Sequence, residues 1–221
     1  MNFNITPIEV RILGCLIEKE ATTPDVYPLT LNSLLSACNQ KSSREPVMEL
    51  TSDDLMTAID NLIDKTLVST WKSGHNRMAK YQHKLRHRVS DKFNFSVPEL
   101  AVLSVLFLRG PQTVGEIRSR CSRIHEFENL DAIEAVLKAL DDNPDGPYAT
   151  MLARQEGRKE PRYAHLFCGK PDETASSSTG FERAASGDNP RVEALEIQVS
   201  ELKLELQALK QSIEVFMKQF E

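Results

Sequence analysis

What this chain has little of already narrows its class. Its 221 residues include four cysteines, nine glycines, one tryptophan and 6% aromatics. Cys15, Cys38, Cys121 and Cys168 lie far apart and form no CxxC pair. That excludes a disulfide framework and predicts reduced thiols in a cytoplasm. No apolar run approaches the roughly 18 residues that a membrane span needs. Met1–Ile5 leads quickly into charged residues, which is not the pattern of a secretory leader. An excess of positive charge is missing too. The 27 Lys+Arg against 32 Asp+Glu leave a formal net charge of −5, unlike the basic domains that typically bind nucleic acid. What is present is ordinary for a soluble globular protein: 40% hydrophobic and 27% charged residues, in a chain long enough for one large core or two small ones.

The average charge conceals three blocks. Residues 1–64 carry 4 basic and 10 acidic groups, a balance of −6. Residues 65–125 carry 12 and 3, a balance of +9, and residues 126–221 carry 11 and 19, a balance of −8. The middle block is a candidate anion-facing surface, if its charges converge in space. The alternative is a set of solvated Lys and Arg on scattered faces.

Hydrophobic periodicity divides the chain further. Thr6-Pro7-Ile8-Glu9 is a capping box with Pro at the first helical position, followed by Val10, Leu13, Leu16 and Ile17 on one helical face. A second helix starts at Thr30 and presents Leu31, Leu34, Leu35 and Cys38. A third starts at Thr51, with Asp54 at N3, and buries Leu55, Ile59, Leu62 and Ile63. Leu67–Trp71, a turn at Ser73-Gly74-His75-Asn76, and Met78–Gln82 predict a β-hairpin. The order then repeats. Ser96 and Glu99 cap a helix that ends at Arg109-Gly110-Pro111, and Thr113 and Glu116 cap the next, with Cys121 placed as Cys38 is. A third helix spans about Leu130 to Leu140, and Tyr148–Arg154 and Arg162–Phe167 are strand-like. Three helices and a two-stranded ribbon, twice, make the winged-helix plan. The expected fold is mainly α with small β-wings (α+β): one winged-helix domain over 1–90, a second over 91–168, a flexible linker over 169–190 and a coiled-coil helix over 191–221.

The last of these rests on a heptad seam. Val192, Val199, Leu206, Ile213 and Phe220 occupy position a, and Leu195, Leu202, Leu209 and Phe216 position d. Mostly β-branched a with mostly Leu d favours a parallel dimer. In that register Arg191 meets the partner's Glu196, and Glu205 meets Lys210. A helix folding back on its own domain is the alternative, since Ile197 and Leu204 are apolar away from the seam.

The stretch Cys38-Asn39-Gln40-Lys41-Ser42-Ser43-Arg44-Glu45-Pro46-Val47-Met48 resembles the YceH-like family of bacterial proteins of unknown function. So do Gly14-Cys15-Leu16-Ile17-Glu18-Lys19, Asn76-Arg77 with Lys80-Tyr81, Leu108-Arg109-Gly110, Gln112-Thr113, Arg162-Tyr163 with His165-Leu166-Phe167, and Arg191–Glu196 in the tail. The resemblance runs from about residue 5 to the C-terminus. It implies a tandem winged-helix fold and brings no established activity, catalytic residue or ligand.

A winged helix that reads DNA normally inserts its third helix in the major groove. Here that helix offers Asp53, Asp54, Asp60 and Asp64, and its counterpart offers Asp131, Glu134, Lys138, Asp141 and Asp142. Duplex DNA carries about one negative charge per 1.7 Å of axis, so such a face opposes insertion. The other cations lie elsewhere. Lys41 and Arg44 precede the third helix, and Lys72, Arg77, Lys80, Lys84, Arg86 and Arg88 belong to the first ribbon and its exit. Arg118, Arg120 and Arg123 lie on the second helix of the repeat, and Arg154, Arg158, Lys159 and Arg162 on the second ribbon. The expected function is a non-enzymatic, DNA-associated regulator that contacts the phosphate backbone through wings and basic loops and dimerises through its tail. The alternative is a protein-interaction adaptor without DNA binding. Its contact loop would contain Asn39, Gln40, Lys41, Arg44 and Glu45, residues that equally form a turn satisfying its own backbone.

Little points to catalysis. P-loop, GxGxxG and GxSxG motifs are missing. His83 and His87 have metal-compatible spacing, but their surroundings are cationic and lack the metalloprotease Glu. Cys121, between Arg120 and Arg123, is either an activated thiol or, by its place on the Ile117–Ile124 stripe, a core residue. No enzyme activity, cofactor or metal is expected.

Overall fold

Each predicted capping box closes in three dimensions. In the computed structural model, which describes residues 4–73, 76–86, 93–153 and 160–169 without the side chains of 72–73 and 76–77, the Thr6 amide donates to Glu9 Oε2 at 2.7 Å and Glu9 N to Thr6 Oγ1 at 3.3 Å. Thr51 with Asp54, Ser96 with Glu99 and Thr113 with Glu116 do the same. Each cap supplies an acceptor to an otherwise orphaned helical amide, typically worth about 1 kcal/mol. These caps start α1 (Pro7–Thr22), α3 (Ser52–Asp64), α4 (Val97–Arg109) and α5 (Val114–Cys121). Thr30 caps α2 (Leu31–Cys38) and Asn129 caps α6 (Leu130–Asp141). α4 stops at Gly110, whose φ of 68° lies in the left-handed region that glycine tolerates.

The described residues form an α+β structure with six α-helices and two small antiparallel sheets. β2 (Val68–Ser73) and β3 (Asn76–His83) make the first hairpin where the alternation placed it. A third strand joins it. β1 (Leu29–Thr30) pairs with β3, giving the order β1-β3-β2 with Leu29 opposite Tyr81. Two residues are too few to show a period, so only the tertiary pairing reveals this strand. The second hairpin is shorter than the expected strand-like stretches: β4 is Ala149–Met151 and β5 is Tyr163–His165. Ladder-like bonds continue on its flanks, from Leu152 N to Arg162 O at 2.8 Å and from Leu166 N to Tyr148 O at 2.8 Å. Gln112, just before α5, exchanges both backbone bonds with Tyr163 at 3.0 and 2.8 Å. It occupies the place that Leu29 and Thr30 hold before α2. The repeat therefore extends to this small edge pairing. Cys38 and Cys121 end α2 and α5 as corresponding buried residues.

α1 and α4 form the centre of one continuous hydrophobic core. Periodicity assigned α1 a single apolar face, yet every residue from Glu9 to Ile17 is buried. The same holds for Leu100–Leu108 of α4. A helix covered on all sides belongs to the interior, and here each central helix covers the other. Phe93, Phe95, Phe107, Tyr148 and Phe167 fill the second half, with Phe95 and Tyr148 edge to face at 4.8 Å. Residues 1–173 make up one compact unit, and residues 174–221 a second unit that lies outside the described residues. The expected linker, apart from Gly169, and the heptad seam therefore also lie outside them.

Close approach of α1 to α4 occurs at Gly14. A Cβ there would stand 2.9 Å from Leu108 Cγ and Cδ2 and 3.0 Å from Phe107 Cβ. Ser104 Oγ also donates to the Gly14 carbonyl at 3.4 Å. In a free helix Gly→Ala is favourable by roughly 0.5–1 kcal/mol. At Gly14 the overlap reverses the sign, and Gly14→Ala is expected to destabilise by about 1–3 kcal/mol. A shift of the urea midpoint to higher concentration would refute this account of the helix contact.

Candidate functional site

The segment from Asn39 to Leu50 is held by its own polar groups. Asn39 Nδ2 donates to Leu50 O and Leu50 N to Asn39 Oδ1, both at 2.9 Å. Arg44, read from sequence as a contact residue, is 5% exposed and points inward. Its Nη2 donates to Glu18 Oε2 at 2.6 Å and to Gln40 Oε1 at 2.9 Å. Its Nη1 reaches Glu18 Oε1 at 3.3 Å and Ser43 O at 2.9 Å, and its Nε reaches Ala37 O at 3.0 Å. Such a fork on a carboxylate is the strong form of the Arg pair. Arg11, likewise buried, donates to Cys38 O at 3.4 Å and Pro46 O at 2.6 Å. Glu45 N then donates to Leu108 O at 2.8 Å, joining the loop to α4. Of the five polar residues in the expected contact loop, Asn39, Gln40 and Arg44 spend side-chain groups internally. Lys41 and Glu45 are exposed.

The other sequence-predicted cations divide in the same manner. Lys80 lies across the hairpin from Trp71, with its Nζ 5.9 Å from the ring centroid, a cation–π distance. The Lys72 and Arg77 side chains, and Arg158 and Lys159, lie outside the described residues. Arg118 is exposed on α5 and donates to Glu128 O at 2.9 Å. Arg123 is exposed just beyond α5. Arg162 is turned back, donating to Pro111 O at 2.7 Å and to Glu116 Oε1 at 3.3 Å. Arg120 stands 4.0 Å from the same Glu116 oxygen. The structure brings Arg120 and Arg123 together with Arg109, which periodicity marked only as a helix end. The signal that could have found Arg109 is its place in the +9 block.

Both third helices present carboxylates outward. Asp53, Asp54, Asp60 and Asp64 of α3 are exposed, as are Asp131, Glu134 and Asp141 of α6 and Asp142 beyond it. Their inner faces are apolar, with Leu55, Ile59 and Leu62 buried in one and Ile133, Leu137 and Leu140 in the other.

The residues weighed for catalysis sit in the interior. Cys121 is buried, and burial pushes its thiol up to about 12, so it stays protonated at neutral pH. The hydrogen bond to Cys15, with burial, raises the Cys38 thiol. His83 is buried, with Nε2 2.9 Å from Glu20 Oε2, and His87 lies outside the described residues. Among the described residues no group of three or more His, Cys, Asp or Glu is placed to hold a metal ion, and no helix is long and apolar enough to cross a membrane.

This arrangement can be set beside known proteins. Residues 5–158 match the family described as "Protein of unknown function, DUF480". The chain belongs to this DUF480 family. It is 45% identical over 210 residues to the UPF0502 protein YceH of Salmonella newport (strain SL254), covering 95% of this chain and 97% of that protein. A UPF0502 protein of Aliivibrio fischeri (strain MJ11) is 47% identical over 205 residues, covering 93% and 94%. The resemblance read from the segment between Cys38 and Met48 is therefore shown over almost the whole chain. Within this DUF480 member, that segment is where two buried arginines fasten the loop to α1 and α2.

Proposed function

We propose that the two halves are tandem winged-helix modules of a non-enzymatic, DNA-associated protein. It contacts the phosphate backbone through the first hairpin and α5 and does not insert its third helices. The heptad seam from Val192 to Phe216 pairs two copies, which doubles the basic surface. The observation that carries this reading is the segregation of charge. The outward faces of α3 and α6 carry carboxylates, while Lys41, Arg118 and Arg123 are exposed and Lys80 flanks Trp71 on the hairpin. Backbone contact of this kind gives affinity with little sequence preference.

Fluorescence anisotropy with a duplex oligonucleotide at low salt tests it. Binding on the order of micromolar is expected, with an affinity that falls as salt rises by a slope of about −0.9 per phosphate contacted. Lys80→Gln with Arg118→Gln should weaken it about tenfold and reduce that slope. No binding at tens of micromolar would end the proposal. Light scattering that returns a monomer would end the part concerning the tail.

A second reading, the protein-interaction adaptor, is supported by Trp71 and Met78, which are 46% and 60% exposed on the same hairpin. Exposed Trp and neighbouring large apolar groups are common anchors at the centre of a protein interface. A pull-down that keeps one stoichiometric partner after nuclease treatment would favour it over DNA.

A further inference from the structure

A cleft of about 170 Å³ opens where the two halves meet, between the end of α1, the loop after α2, and α4 and α5. Arg109, Arg120 and Arg123 line it, with the hydroxyls of Ser43, Ser104 and Ser119. Among the described residues its only lining carboxylate is Glu18, and that group is already held by the Arg44 fork at 2.6 and 3.3 Å. Among the described residues, neither Arg109 nor Arg123 has a carboxylate within 4.0 Å. Arg120 shares Glu116 with Arg162, which stands closer to it at 3.3 Å. The Nη1 of Arg120 is enclosed and has no hydrogen-bond partner.

An enclosed guanidinium N–H without an acceptor is costly, as is the crowding of like charges. The crowding is visible at Arg109, whose guanidinium is held below its ordinary value by burial and then by Arg120 and Arg44, against a smaller opposing effect of Glu18 and Glu45. An anion in the cleft would relieve the crowding. A carboxylate monoanion would meet one fork and leave the others unanswered. A phosphoryl dianion has three oxygens for several planar N–H forks, the geometry that arginine matches best. Ser43 and Ser119 on the walls carry further hydroxyl donors, whereas the Ser104 hydroxyl already serves the Gly14 carbonyl.

We propose that this cleft binds the phosphoryl group of a small phosphate monoester, held by Arg109, Arg120 and Arg123 at the junction of the two halves. The recess has room for one phosphoryl group and a small organic remainder. It takes its walls from both halves, so the ligand bridges α1 to α5. The cleft shares Arg123 with the surface proposed to meet DNA, yet its binding of a small phosphate requires no DNA. The shared chemistry has two sources, a free monoester and a nucleic-acid phosphate, and the size and recess of the cleft favour the first.

The full chain is titrated with inorganic phosphate and with glycerol 3-phosphate, against sodium chloride at matched ionic strength. Calorimetry and thermal unfolding report the binding. Saturable binding and a raised Tm are expected for both phosphates and not for chloride. Arg109→Gln and Arg123→Gln should each weaken binding about tenfold, while Lys138→Gln, on the exposed side of α6, should leave it unchanged. An equal response to chloride, or unchanged affinity in both cleft variants, overturns the proposal. Should a variant fail to fold, NMR of the unaltered protein decides. The arginine Nε–H signals of the cleft must move with added phosphate, and shifts confined to other sites refute the assignment. A duplex without terminal phosphates forms the last arm. If it displaces glycerol 3-phosphate, and the cleft variants lose both ligands together, the site takes backbone phosphates and the small-ligand proposal is overturned.

Discussion

Arg44→Met is expected to lower the stability of the protein by about 3–5 kcal/mol, the range for removing one partner of a buried pair. The side chain of Arg44 is 0% exposed and that of Glu18 is 15% exposed, so water cannot replace what is lost. The substitution leaves the Glu18 carboxylate with only the longer Lys19 contact at 3.9 Å, and removes the Arg44 donors from the carbonyls of Ala37 and Ser43 and from the Gln40 side chain. Arg44→Lys should be nearly as harmful, because an ammonium cannot reproduce the fork or reach all of these acceptors. Glu18→Gln should cost less, because an amide oxygen still accepts from Nη2. Urea unfolding at constant m measures the difference. A loss below about 1 kcal/mol for Arg44→Met would place the pair among the weak surface bridges.

Acid should weaken the protein through His165. Burial pushes its imidazole down to about 4 from 6.5. The ring stands edge to face with Phe107 at 5.2 Å, and its Nδ1 is enclosed with no hydrogen-bond partner. Between pH 6.5 and 4 the unfolded chain takes up a proton here that the folded chain refuses. Above pH 6.5 neither state is protonated, so the folded form bears no penalty. The penalty grows as pH falls and levels off below 4, at about 3 kcal/mol in total. His165→Phe removes the titrating group and keeps an aromatic ring beside Phe107. The gap in unfolding free energy between the two proteins, followed from pH 7 to 4, should therefore shift by about that amount in favour of the variant. A gap that does not change with pH would mean that His165 is protonated equally in both states.

The two predictions differ in what the sequence could reveal. Asn, Ser and Pro in the segment from Asn39 to Pro46 announce a turn, and local chemistry accounts for the Asn39–Leu50 exchange. Nothing local announces that Arg44 folds inward. Arg44 meets Glu18 across 26 positions, a pairing without periodicity, and a charged residue in a polar turn is ordinarily solvated. The same limit applies to Arg109. Its position as the last residue of α4 is legible, whereas its approach to Arg120 depends on how α4 and α5 pack.

The sequence by itself determined the local elements. Capping boxes three residues apart, apolar periods of a helix, and alternation around Ser73–Asn76 placed the helices and the first hairpin, because those signals are short-range and each supplies its own hydrogen-bond partner. It also determined the acidic outward faces of α3 and α6, since a regular helix fixes which residues share a side. Only the tertiary structure decided that α1 and α4 pack together and are covered on their remaining sides by the other elements, and that Gly14 is where they come closest. The same holds for the pairing of β1 and Gln112 with the hairpins, and for the cations that turn inward to Glu18 and Glu116 while others stay exposed. Each of these depends on contacts between segments far apart in the chain, and no local period encodes such distances.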